Sequence, residues 1–275
     1  MLRESLLLPS LVAALLMLAA CKQEPASAPQ SEPSKDTHAA TAMVEAPAEA
    51  AEDTEPPPPL GATGHIEGRV NVTGEVPEPP ALDTSLDPSC QDANLKDESI
   101  LSRDGGLANV VVRLKGALPR VEVPSEPAIM DQTGCAFRPR VLGAMAEQTV
   151  QVRNSDGTLH NVHSYAGART LFNRAQPSGA RPMDTSFPAG QELVRLRCDV
   201  HPWMRGWVAV TPHPWFAISD EEGRFRIEDA PVGTWDATAW HEVLGEQQGT
   251  VTVAEDGTAT LEFAFDMKDA KPEGR

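Results

Sequence analysis

From Gly64 onward the chain is a succession of short alternating or β-branched runs, each closed off by Gly, Pro, Asn or Asp. They are Ile66 to Val72, Ala108 to Leu114, Thr149 to Val152, Leu193 to Leu196 and Trp207 to Val210. Side chains that alternate with a period of two line opposite faces of a strand, so each run predicts a half-buried strand. No window of a dozen residues in this part sustains a 3.6-residue apolar period, and 25 prolines with 20 glycines disfavour long helices. The predicted class is all-β, built as sandwiches. With 40 Asp+Glu against 23 Lys+Arg the formal charge is −17, which sets the chain against nucleic acid as a partner.

The first 63 residues are of a different kind. A charged start at Arg3 leads into an apolar run from Leu6 to Ala20 that ends at Cys21. Broken by Pro9, that run falls short of the roughly 20 residues a membrane span needs. Leu18-Ala19-Ala20-Cys21 resembles the bacterial lipobox, which implies a signal peptide over residues 1–21 and a lipid on the Cys21 sulfur. The protein is then expected in the bacterial cell envelope, held to a membrane and facing the periplasm or the cell surface. Lys22 in place of an aspartate that retains some lipoproteins at the inner membrane favours the outer one. Residues 22–63 are rich in Pro, Ala, Glu, Ser and Thr and end near a run of four prolines. Such a segment buries too little apolar surface to fold and is predicted to be a disordered, extended tether. His38 within it is expected to be solvated.

Two later stretches are similar to the opening and closing strands of carboxypeptidase regulatory-like, transthyretin-type sandwiches. The opening pair is Gly64-His65-Ile66-Glu67-Gly68-Arg69-Val70 and Asn109-Val110-Val111-Val112-Arg113-Leu114. The closing set runs from Ser219-Asp220-Glu221-Glu222-Gly223-Arg224-Phe225-Arg226-Ile227 through Ala230-Pro231-Val232-Gly233-Thr234-Trp235 to Val251-Thr252-Val253. Asp220 and Gly223 are expected to turn a hairpin, with Phe225 and Ile227 facing the core. The resemblance implies one sandwich from residues 64–127 and 213–267, with 268–275 as a tail and another domain, 128–212, inserted between the halves. Two consecutive sandwiches are the alternative.

The intervening segment carries the chemistry. It holds His160 in Leu159-His160-Asn161-Val162-His163, and then Cys198-Asp199-Val200-His201-Pro202-Trp203-Met204 between two predicted strands. Two imidazoles and a thiolate in a plane, with a weak thioether contact, are the donors of a type 1 copper site. The short Cys-x-x-His-x-x-Met loop lets three donors curl toward one point, and His160 must come from a distant strand. Residues from about 128 to 211 resemble a cupredoxin, a Greek-key β-sandwich, closest to the amicyanin and pseudoazurin branch. Phe137-Arg138-Pro139-Arg140-Val141 and Thr149 to Asn154 match early strands of that family. The resemblance implies one type 1 copper held by His160, Cys198, His201 and Met204, with Asn161 bracing the ligand loop and the sulfur. It gives His163 no ligand role, and a solvent-side imidazole is expected there. Trp203 is expected in an apolar docking patch around an exposed His201. The chain departs from the family with Arg197 before the cysteine, Asp199 after it, and Ala146-Glu147 where a glycine is usual.

With Cys21 assigned to lipid, Cys90, Cys135 and Cys198 remain. The economical arrangement is a Cys90–Cys135 disulfide with Cys198 kept for the metal; two free thiols, or one that reaches the metal, stay open. His241 is expected to be buried beside Trp240, and His213 with Trp215 to pack at the domain junction. The function implied is a membrane-tethered blue-copper carrier, not an enzyme, that passes single electrons between redox partners such as a cytochrome. The acidic charge points weakly to a basic partner. Two alternatives stand beside it: a lipoprotein that holds or delivers copper, and a metal-free module that binds protein or glycan.

Overall fold

The computed structural model describes residues 60–271; the expectations for the signal segment, Cys21, His38, most of the tether and residues 272–275 lie outside these. The described chain is almost wholly strand. It begins with β1 (Thr63–Thr73), β2 (Ser102–Arg103), β3 (Gly106–Leu107) and β4 (Val111–Lys115). Then follow β5 (Ala128–Thr133), β6 (Ala136–Arg138), β7 (Val141–Met145), β8 (Val150–Asn154), β9 (His160–Ala166), β10 (Arg169–Gln176), β11 (Met183–Thr185), β12 (Leu193–Arg197) and β13 (Arg205–Thr211). It closes with β14 (Phe216–Ile218), β15 (Arg224–Pro231), β16 (Gly233–His241), β17 (Gly245–Val253) and β18 (Thr258–Asp266).

Strands from both ends of the described chain share two sheets. One runs β15-β1-β3-β2 with β18 parallel to β1, and the other runs β14-β4-β16-β17. Alternate residues of each face inward: Ile66, Val70, Phe225, Ile227, Phe263 and Phe265 from the first meet Val112, Leu114, Ala237 and Val251 from the second. Gly223, at φ 79°, makes the turn that brings Phe225 and Ile227 onto that face. Trp215 is buried in the same core and donates from Nε1 to the Asp229 carbonyl at 2.8 Å.

Residues 128–211 form two other sheets, β10-β9-β12-β13-β7 and β11-β8-β5-β6. Met130, Phe137, Val150 and Val152 of the second pack on Val162, Val194, Leu196 and Val208 of the first, and Cys198 and Met204 lie in the same apolar cluster. The alternation explains the layering, since residues one apart on β9, β12 and β13 fall on opposite faces. Glu147 takes the left-handed conformation with φ 63°.

The two pairs of sheets meet through a further apolar patch. Val111, Val141 and Ala209 are its buried centre, with Trp207, Ile218 and Trp240 around them. Arg140 and Glu242 form a nearly buried ion pair across it, and Trp207 Nε1 donates to Glu242 at 3.0 Å. His213 is buried against the ring of Trp215, which sits in the core of the first pair of sheets, with its Nε2 within 3.1 Å of the Leu114 carbonyl, and burial lowers its pKa to about 4. His241 is buried at the end of β16. Its Nδ1 accepts from the amides of Val243 and Leu244, and burial likewise lowers its pKa to about 4.

Candidate metal centre

Each donor is placed by a local feature. His160 opens β9, and the preceding loop is held from beneath by a buried amide network. Asn154 Nδ2 donates to the carbonyls of Thr158 and Gln176, and Gln132 Nε2 donates to Gln176 Oε1 at 2.6 Å. Cys198 follows β12. The loop after it closes tightly, with the Met204 amide donating to the His201 carbonyl at 2.9 Å and the Cys198 amide to the Met204 carbonyl at 3.2 Å. His160, Cys198, His201 and Met204 are all buried.

His160 Nδ1 and His201 Nδ1 lie 2.8 Å apart, and Cys198 Sγ is 3.7 Å from His201 Nδ1. One donor atom from each of the three residues falls within 4.8 Å of the others. The 2.8 Å and 3.7 Å separations fall within the roughly 4.3 Å that nitrogen about 2.0 Å and sulfur about 2.3 Å from a shared ion can span. Cys198 is the free cysteine of the described residues. Asn161 lies against the sulfur: its amide points at Sγ from 3.4 Å, and its Oδ1 lies 3.3 Å from Sγ while accepting from the Asp199 amide at 2.6 Å.

The outward nitrogens decide the electronic state. His160 Nε2 is 2.8 Å from Asp156 Oδ2, and His201 Nε2 is 2.9 Å from Asp87 Oδ2. Carboxylates accept, so both Nε2 atoms carry the hydrogen and both Nδ1 atoms turn lone pairs inward. Asp156 also accepts from the amides of Gly134 and Cys135. Hydrogen bonds from Ser89, then from Thr158 and His201, hold the Asp87 carboxyl well below the usual range. Two lone pairs 2.8 Å apart repel unless a cation separates them. A proton is a poor one here, because burial lowers the His160 pKa. The arrangement of buried N, N and S atoms, ringed by two carboxylates, fits a thiophilic metal cation.

Sequence reasoning missed both carboxylates. Asp156 sits four residues before His160, a spacing that offers a signal, but Asp87 is 114 residues from His201. It arrives on the segment between β1 and β2, where it caps a short 3-10 helix (Pro88–Ala93). A disulfide between Cys90 and Cys135 ties that helix to the turn between β5 and β6. Each of its cysteines lies close to one imidazole and its carboxylate, Cys90 beside His201 and Asp87, and Cys135 beside His160 and Asp156. The consequence corrects the expected docking patch: His201 has no exposed edge, being 0 % accessible beneath this cap. Trp203 is half-buried and donates to the Cys135 carbonyl at 3.1 Å. His163 lies on the outer face of its sheet and contacts Asp199, outside the donor set.

No protein-family model matches the chain, and no curated protein matches it. Among solved structures, a purple cupredoxin from Nitrosopumilus maritimus is 22 % identical over 30 % of this chain and 99 % of its own, with a TM-score of 0.27. A reduced mutant of amicyanin is 25 % identical over 36 % of this chain and 97 % of its own, at 0.28. A copper-containing nitrite reductase from Thermus scotoductus is 19 % identical over 36 % of this chain and 25 % of its own, at 0.28. At such scores the functional reading rests on the residues of this chain.

Proposed function

We propose that the chain is a copper protein of the cupredoxin kind, with one type 1 copper held by His160, Cys198, His201 and Met204. More particularly, we propose a membrane-tethered electron carrier of the bacterial envelope, anchored through Cys21 and extended by residues 22–63, whose copper sandwich, 128–212, is inserted into a transthyretin-like host. The observation that carries the copper reading is the pair of inward Nδ1 lone pairs beside a buried cysteine sulfur. Zinc would suit the nitrogens and sulfur, but a buried methionine ending the same loop favours copper.

Bound copper would supply a one-electron couple. The chain's own contribution is rigidity. Asp87 and Asp156 fix both imidazole rings and their tautomers, and Asn161 holds the sulfur and the loop together. The cap, pinned by the disulfide, keeps water off His201. Donors that cannot move leave little to reorganise between oxidation states, which favours fast electron exchange over chemistry on a substrate. The same cap works against the delivery alternative, since a copper acceptor finds no open edge at His201.

Voltammetry of the copper-loaded fragment 60–275, followed by incubation with an apo copper acceptor, tests this reading. A reversible one-electron wave with copper retained is expected. An irreversible wave, or quantitative transfer of copper to the acceptor, would overturn the carrier reading.

A further inference from the structure

If the imidazole edge is sealed, electrons must leave elsewhere, and a polar chain leads from the sulfur to the outer face of the five-stranded sheet. Asn161 touches both Cys198 Sγ and Asp199, donating from Nδ2 to Asp199 Oδ2 at 3.0 Å. Asp199 lies 3.0 Å from His163 Nδ1, and the His163 ring stacks on Tyr165 with centroids 4.1 Å apart. The guanidinium of Arg195 sits over the Tyr165 ring at 5.1 Å.

Part of that face packs against the other pair of sheets through Leu193 and Trp207, and beside it Arg195 and Arg197 bring positive charge next to the Asp199 carboxylate. Arg197 is paired with His163 on one side and with Arg205 on the other, and Arg195 is paired with Tyr165. Like charges directly across a ladder are destabilising unless something offsets them. Arg205 is partly offset by Asp97 and Glu242, while Arg197 adds to the positive field around it. The Arg195 Nε is buried without a hydrogen-bond partner. The arginines occupy the outward positions that alternate with Val194 and Leu196, so they flank the point where the polar chain surfaces.

We infer that the half-exposed face of His163, Tyr165, Arg195 and Arg197 is the electron-exchange surface, and that its partner is a redox protein with an acidic patch. This rests on the copper reading above and reverses the expectation of a basic partner drawn from total charge. The exchange is a single electron: the partner's centre is reduced as the site is oxidised, with no bond made and no proton moved. Field strength near a local patch is set within about 10 Å at moderate salt, so the arginines outweigh distant carboxylates.

Stopped-flow oxidation of the reduced copper-loaded fragment by ferricyanide, against ionic strength, tests the surface. Ferricyanide is an anion, so an acidic molecule as a whole repels it and its rate rises with salt, whereas local arginines attract it and its rate falls. The expected result is a falling rate, and in the Arg195→Glu/Arg197→Glu variant a loss of about tenfold at low salt with the slope reversed. A cationic oxidant, a tris-phenanthroline cobalt(III) complex, is expected to react faster with that variant. A wild-type rate that rises with salt, or a variant that reacts like the wild type, overturns the surface. A Leu86→Ser variant beside the cap, at an exposed side chain, is expected to leave both rates alone; a large loss there moves the exchange to the cap and also overturns it. The visible copper band of each protein, read first, separates failure of the copper reading from failure of this one.

Discussion

Replacing Asp87 removes a carboxylate that touches His201 from outside the proposed copper donors, and the structure fixes what should follow on the copper reading. Asp87 Oδ2 accepts from His201 Nε2 at 2.9 Å and from Thr158 Oγ1 at 2.8 Å. A negative charge across the imidazole favours the more positive oxidation state, so its loss raises the reduction potential. At about 6 Å and an effective dielectric of about 20, a unit charge is worth about 3 kcal/mol. Asp87 is partly exposed, and discounting for solvent leaves about 2 kcal/mol. At 59 mV for each tenfold change, that is a rise of about 90 mV. Asp87→Asn keeps a carbonyl for the His201 N–H and loses only the charge, so it should show most of this rise with copper still firmly bound. Asp87→Ala loses the acceptor as well and should also weaken copper binding by 10- to 100-fold. Spectroelectrochemistry gives the potential, and competition with a chelator gives the affinity. A potential that stays where it was, or falls, in both variants would refute the carboxylate's role.

Three further outcomes follow from the same structure. Opening the disulfide by Cys90→Ser/Cys135→Ser frees a link between residues 45 apart, worth about 4 kcal/mol of stability in the chain-entropy model. Thermal melts should show the loss, and copper release to a chelator should accelerate as the cap loosens; unchanged release would mean that Asp87 alone holds the cap. His213 and His241 both fold with pKa values lowered to about 4. Below the unfolded value of about 6.5 the unfolded chain binds more protons, so each should cost up to about 3 kcal/mol of stability as pH falls from 6.5 to 4. Urea midpoints against pH check this, with His241→Gln expected to flatten the slope. Glu242→Gln leaves Arg140 charged at the buried junction and should cost about 3 kcal/mol by urea unfolding, whereas a loss under 1 kcal/mol would mean that Arg140 is solvated there.

Local patterns carried much of this fold. Alternation at Leu193–Leu196 and Trp207–Val210 anticipated the interiors of β12 and β13, and Asp220 with Gly223 announced the turn before Phe225. The candidate donors stood out in the sequence because Cys198, His201 and Met204 fall on one short loop. What the sequence could not display was pairing at long range. β1 lies parallel to β18, and nothing local to either says so. The cap is the same problem in a functional place. Asp87 reads as an ordinary helix cap before Pro88 and Ser89, and only the folded chain turns its second oxygen to His201. The expectation of an exposed imidazole failed because it took 128–211 alone, while the residue that covers it belongs to the segment after β1. Exposed strand β10 carried too weak an apolar alternation to be read, yet it supplies Asn173 to the Asp199 cluster.

The most direct measurement is the visible absorption and EPR spectrum of the Cu(II)-loaded fragment 60–275 beside its Cys198→Ser variant. An intense thiolate-to-copper band with narrow copper hyperfine splitting, present in the wild type and absent from the variant, is the predicted result. A pale spectrum with ordinary splitting, the same in both proteins, would contradict the type 1 site and the electron-carrier reading built on it.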